Sequence, residues 1–533
     1  MVKPLALYAF KIWLPSSAAA WYVGRIVMPS RLITYLLHTV FLLVVAAFAC
    51  LSAATEPFAV QVTDESNHRG IPMAVLETDN HIRLITDSAG WALFDEPGLM
   101  GRPVHFFVTS PGYVLPKDAD GQTGTVVMVA PGQAAEVRMV RTMIAERLYR
   151  LTGQGVYRES TLLGKDVPLP FSNINGDVLG LGRAQVAPYQ GKLVWVWSDV
   201  KLATLRNSLI VAGAAADLPR TGGLDPAQGV HLRYFTNDQE ETLSLLSTPR
   251  GQHAIIEGLA SVKNVSGAEH LLARYAFFNP SGECVEQGIA EFNARHTFDR
   301  KIVLGEEYTW QFPSGHAVEV NGAGGNFIYF AAPFCHTRVP ASYEAALSPT
   351  SYEALAWSDN SKSLVLQQRR GPVTQADEAR LASHKKLKPS EASCQLINSV
   401  TGGALSLAEG SVQWNACRQC WIIIGNGPAD GATAGDVWYA EANDPKGPWT
   451  RAVQIATHAG HTFQGTAQLS ALQQEGGRYL YFEGTLHDAA GPTEPLPRYQ
   501  DNQLMYRLDV TDQRLLPAHG VNDVVQSVEG GKN

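Results

Sequence analysis

Along most of the chain, apolar and polar positions alternate with a period of two, which marks half-buried strands. Five times a run of alternating aromatic and aliphatic residues recurs, followed by a turn and a second such run. The first runs are Leu193–Asp199, Leu271–Phe278, Asn326–Phe330, Cys420–Gly425 and Tyr479–Gly484. Their partners include Gly288–Phe292, Tyr352–Trp357, Asp436–Glu441 and Gln503–Leu508. Five hairpin units of this size read as five blades of a β-propeller. The fold class expected is therefore all-β, a five-bladed β-propeller over residues 159–518 preceded by a small β-sandwich over residues 55–141.

The sandwich is expected from short strands between Gly, Asp and Pro turns: Phe58–Val62, Gly70–Leu76, Ile82–Ile85, Trp91–Phe94, Val104–Val108 and Gly124–Met128. Helical spacing of apolar residues over Met143–Thr152, with Gly153 as a stop, predicts a helix inside a linker at residues 142–158. The polar stretch Pro372–Ala392 reads as an excursion between blades, with a short helix over Ala376–Ala382. Residues 519–533 are polar and Gly-rich and read as a frayed tail.

The first 54 residues change the picture of where the protein works. Met28–Arg31 is a short basic start, Leu32–Ala49 is largely apolar, and Ser52–Ala54 is small. This is the pattern of a secretory signal peptide, with Met28 as the initiator and cleavage after Ala54. A membrane anchor and a lipoprotein modified at Cys50 are the alternatives. The expected location is secreted or periplasmic, with no membrane span left after cleavage and a monomeric state. The 533 residues carry a formal net charge of −8, and no basic cluster is dense enough for a nucleic-acid partner. Five cysteines remain after cleavage, Cys284, Cys335, Cys394, Cys417 and Cys420. The Cys417-Arg-Gln-Cys420 spacing fits a metal or redox pair, a local disulfide, or two small residues in a hairpin turn.

A propeller directs the starts of its inner strands at one axial pocket. Those strands are expected to begin near Asp177, Glu257, His316, Glu409 and Gln464, a ring of polar residues each followed by a small or apolar run. Asp199 and Glu483 close their hairpins near the same region. Paired carboxylates suit glycoside cleavage, in which one protonates the leaving oxygen and the other acts as base or nucleophile. Asp199, Glu409, Glu257, His316 and Asp177 are the catalytic candidates. Trp197, Glu483, Arg338 and Gln464 are the substrate-binding candidates, with Trp and Tyr rings as faces for sugars. The alternative for each is a strand-start polar residue meeting a water-filled channel. No metal ligand set and no cofactor is implied, although the channel leaves room for a structural cation. The expected partner is a carbohydrate, either hydrolysed or, in a second reading, bound without catalysis. A lyase working through His316 is third.

Two stretches also carry resemblances. The order of strand, Asp64, Gly70–Val75, Thr86-Asp-Ser-Ala-Gly90, apolar strand and Glu96-Pro-Gly98 resembles carboxypeptidase regulatory-like domains, which are accessory folds. Trp197-Ser-Asp199 and Tyr439–Trp449 resemble five-bladed glycosidases of the arabinanase, xylosidase and invertase type. That resemblance implies Asp199 or Asp177 as base or nucleophile and Glu257 or Glu409 as acid. The chain lacks the group's Trp-Met-Asn-Asp-Pro and Arg-Asp-Pro steps, and Glu283-Cys284 is followed by Val285 rather than Pro. Ile144–Arg150, Gly223–Pro226, Gly410–Asn415 and Pro497–Arg507 are similar to secreted bacterial proteins of unsettled function. In that group a last-blade step reads Asn-Pro-Lys-x-His-Pro; here it is Gln464-Gly-Thr-Ala-Gln468, which implies altered or lost activity.

Overall fold

Strands dominate the protein, as the two-residue alternation implies. The structure is a computed structural model, and it describes residues 56–519 apart from 118–120, 122, 171–172, 205–208, 323, 369, 430, 459 and 489–497. The expected leader, the start at Met28, the cleavage point and the tail beyond 519 lie outside the described residues. No described helix is long and apolar enough to cross a membrane.

Residues 58–141 form two four-stranded sheets. One is ordered Trp91–Phe94, Phe58–Asp64, Ala134–Arg141, Tyr113–Val114; the other Arg83–Ile85, Val75–Thr78, Arg102–Thr109, Thr125–Val129. Val60 and Val62 of the first share one core with Leu76, Val104 and Phe106 of the second. Alternate residues of Arg102–Thr109 stay wet, so one face of this sheet is uncovered, and it exposes Phe107, Val126 and Met128.

The remaining strands fall into five antiparallel groups. Their first strands are Ala184–Tyr189, His253–Lys263, Gly315–Gly322, Glu409–Asn415 and His461–Gln468. Each first strand packs against the first strands of the groups before and after it, and the last touches the first, so the five make a closed cycle. Separate apolar cores fill the spaces between neighbouring groups: Trp195 and Tyr481 between one and five, Val196 and Tyr275 between one and two, Leu272 and Phe330 between two and three, Tyr329 and Ile423 between three and four. Side chains from both faces of a strand are therefore buried, which gives the near-continuous apolar runs of the sequence.

Three expectations need correction. The third group pairs Gly325–Ala331 with Thr337–Pro340, and Glu353–Ser358 lies one strand further out. The expected helix over Met143–Thr152 is instead a strand, Glu146–Arg150, all five residues buried. The i, i+4, i+7 spacing of Ile144, Leu148 and Leu151 arises because both faces of this strand are covered, so periodicity does not discriminate. The strand is also no linker. It forms the outermost strand of group five, with Arg507 opposite Glu146 and Met505 opposite Tyr149. The excursion helix is present at Gln375–Ser383, capped by Thr374.

Leu148 is fully buried between groups one and five. Leu148→Ala is expected to lower unfolding free energy in urea by about 2–5 kcal/mol, the cost of a cavity in a packed core. A loss under about 0.5 kcal/mol, typical of surface positions, would show that this strand does not hold the cycle closed.

Candidate functional site

Where the five first strands meet, a cavity of about 390 Å³ opens, within the size range of small-molecule sites. Arg183 and Gln185 reach it from group one, Glu257 from two, His316 from three, Glu409 from four and Gly465 from five. Asp199 joins them from the second strand of group one. Thus Asp199, Glu257, His316 and Glu409 are brought together as expected from their positions.

Local backbone irregularity aims these groups. The register of Lys192–Leu202 against Leu209–Asp217 slips between Trp197 and Val200, and Asp199 takes φ 57°. The first strand of group two slips at Glu257, between Ile256 and Gly258. The first strand of group five slips between Gln464 and Ala467, leaving Gly465 at φ 67°. Each is a β-bulge, which turns a side chain or an N–H out of the ladder. Ser198 locks the first bulge to the next group by accepting the Ile256 N–H at 2.8 Å.

Asp177 does not reach the cavity. The inner strand of group one is interrupted at Leu181–Arg183, opposite the Asp199 bulge, with Gly182 N–H donating to Ser198 O at 2.9 Å. Asp177 lies beyond that break, where its Oδ2 accepts the Thr204 N–H at 3.0 Å. Trp197 and Glu483 are both fully buried in the core between groups one and five, so neither touches a ligand. Trp197 Nε1 donates to Gln503 Oε1 at 2.9 Å, and Trp195 Nε1 to Glu483 Oε1 at 2.8 Å. Arg338 sits on the third strand of group three, bonded to Glu353 at 2.8 Å and stacked 3.8 Å over Phe327. Gln464 stays in the ladder opposite Thr485; its neighbour Gly465 faces the cavity instead.

Every acidic group in the cavity has a basic side chain beside it that the sequence pattern did not reveal. Glu409 contacts Arg183 Nη1 at 2.6 Å and accepts the Gly465 N–H at 2.6 Å. Glu257 pairs with Arg274 Nε at 2.9 Å. The Arg274 guanidinium is itself buried and donates to the carbonyls of Thr309, Gln311 and Phe312, so Glu257 is pinned. Asp199 lies 2.6 Å from His253 Nε2 and remains partly exposed. Burial pushes His316 down to about 4, so its imidazole is neutral at pH 7. Among the described residues no Trp, Tyr or Phe lines the cavity, so the expected aromatic faces are not found there. Among the described residues no cluster of three or more metal-ligating side chains occurs, and no disulfide joins any of the five described cysteines, Cys417 and Cys420 included.

No protein-family model and no curated protein matches the sequence. Solved structures that overlay on it include an exo-β-1,3-galactanase from Phanerochaete chrysosporium with galactose, 8% identical over 69% of this chain and 65% of that one, TM-score 0.34. A GH43_1 enzyme from Xanthomonas citri complexed with xylotriose is 12% identical over 61% and 86%, TM-score 0.31. An exo-1,5-α-L-arabinanase from a bovine ruminal metagenomic library is 8% identical over 62% and 93%, TM-score 0.31. Overlap of this degree identifies no family and assigns no residue.

Burial pushes the Glu483 carboxyl up to about 8 from its ordinary 4.5. Between those values the folded chain holds a proton that the unfolded chain has released, so folding stability falls as pH rises through that window and levels off above it. Glu483→Gln keeps an acceptor for Trp195 and removes the titration. Its stability relative to the parent is expected to rise steadily from pH 5 to pH 8 in urea titrations. A constant difference would show that Glu483 is ionised in the fold.

Proposed function

We propose that the protein is a five-bladed propeller with an N-terminal accessory sandwich, exported, whose axial cavity binds a carbohydrate and hydrolyses its glycosidic bond. The observation that carries this reading is the convergence of Asp199, Glu257 and Glu409 on one polar cavity from three different groups of strands. Two donors fix Glu409, which suits it to bear negative charge beside a cationic transition state. Asp199 is the most open of the three and lies 2.6 Å from the His253 imidazole, which suits Asp199 to proton transfer. Asp199 then protonates the leaving oxygen as the bond from the anomeric carbon to that oxygen breaks. Water adds to the same carbon, and Glu409 takes its proton. Glu257, clamped by Arg274, orients ligand hydroxyls. The neutral His316 serves as a hydrogen-bonding wall; an imidazole held at about 4 is a weak base, which disfavours elimination.

A binding role without turnover is the second reading. It is favoured by the arginines paired with Glu409 and Glu257 and by the glycine where the resembling group has a functional step, since Gly465 offers only its N–H.

Glu409→Gln and Asp199→Asn are each expected to lower turnover of an aryl glycoside panel or of plant and algal polysaccharides by about 10²-fold or more. Their unfolding midpoints should stay near the parent's, because both side chains are partly open to solvent. Wild-type protein that retains a glycan on an affinity column yet releases no reducing ends would establish the binding role instead.

A further inference from the structure

A second cavity, of about 560 Å³, lies between the N-terminal sheets and groups four and five. Its wall is largely apolar, with Val75, Val108, Leu115 and Leu486 beside Phe107 among its lining residues. Its inner end carries a charge. Arg147, on the strand that closes the cycle, lines the cavity and is only 3% exposed. Its Nη2 donates to Ser110 Oγ, and its guanidinium lies 5.5 Å from the Tyr113 ring centroid. Its Nε has no hydrogen-bond partner.

The acids near Arg147 in the fold are taken. Glu146 pairs with Arg507 at 2.5 Å, and Asp64 with Arg141 at 2.9 Å. Among the described residues no carboxylate pairs with Arg147. His458, which lines the same end, is held neutral by burial, bonded to Gly435 O and stacked on Phe463. Arg147 is thus a desolvated cation without a counter-charge, an expensive state unless an anion completes it. Serine and an aromatic face give partial solvation only.

We propose that this cavity is a binding site for an aliphatic carboxylate, with the head group on Arg147 and the hydrocarbon chain along the apolar wall. The one buried guanidinium, Arg147, supplies one charge and a planar donor fork, while Arg83, the other arginine of the lining, stays exposed to solvent; this matches a carboxylate head group at the inner end. The apolar wall then contributes in proportion to the length of chain that it covers. The site is separate from the axial cavity and does not depend on the sugar reading.

Calorimetric titration of the full chain with octanoate, octanamide and acetate tests this. Octanoate is expected to bind about tenfold or more tightly than either analogue, because one lacks the charge and the other lacks the chain. Arg147→Gln is expected to erase the preference for octanoate over octanamide while leaving chain-length dependence in place. Equal binding of octanoate and octanamide by the parent, or no heat with millimolar octanoate, overturns the proposal without recourse to any variant. An Arg147→Gln protein that keeps the head-group preference also overturns it.

Discussion

The last sheet of the cycle receives its outermost strand from the other end of the described chain. Here Glu146–Arg150 lies against Asn502–Asp509 and joins segments more than 350 residues apart. Glu146 and Arg507 add an ion pair at the seam, and the fully buried Arg150 ties it to Gln154 O at 3.0 Å and Asn502 Oδ1 at 2.9 Å. Pairing at such separation closes a very long loop, so the seam is the part of the fold that depends on all the rest having formed. The same strand follows the N-terminal sheets in the chain and supplies Arg147 to the cavity beside them.

The axial cavity illustrates how regular sheets produce a site. Regular ladders point most alternate side chains into the two neighbouring cores, and only a few, such as Gln185, His316 and Glu409, reach the axis. The bulges at Asp199, Glu257 and Gly465 break that alternation where the strands come nearest each other. Each frees one group from the ladder, and basic side chains on adjoining strands or loops then hold the freed carboxylates. Arg183 comes from the interruption in group one and reaches Glu409 of group four, so the ion pair spans the opening rather than a single sheet.

The two cavities treat charge in opposite ways. Around the axis, carboxylates face cations and water, a setting for hydroxyl-rich ligands. At the junction with the N-terminal sheets, one guanidinium is enclosed by aliphatic side chains and neutral rings. Desolvation makes the second arrangement more demanding of its ligand, since the charge has no solvent to fall back on.

What the sequence determined by itself was the repeat. Period-two alternation located four of the five first strands and four of the cavity's polar residues, because strand identity and spacing are local properties. It also marked the helix at Gln375–Ser383. Misplaced were Asp177, Trp197, Glu483, Arg338, Gln464 and the strand at Glu146–Arg150. Asp177 fell outside because a break at Leu181–Arg183 shifts the inner strand, and no composition signal counts a bulge. Trp197 and Glu483 were buried by the packing of group five on group one, and the strand at Glu146–Arg150 was disguised by burial on both faces. Only the tertiary structure decided these points, and it alone paired Arg183, His253 and Arg274 with the site carboxylates, because partners that come from distant segments leave no pattern in a local window.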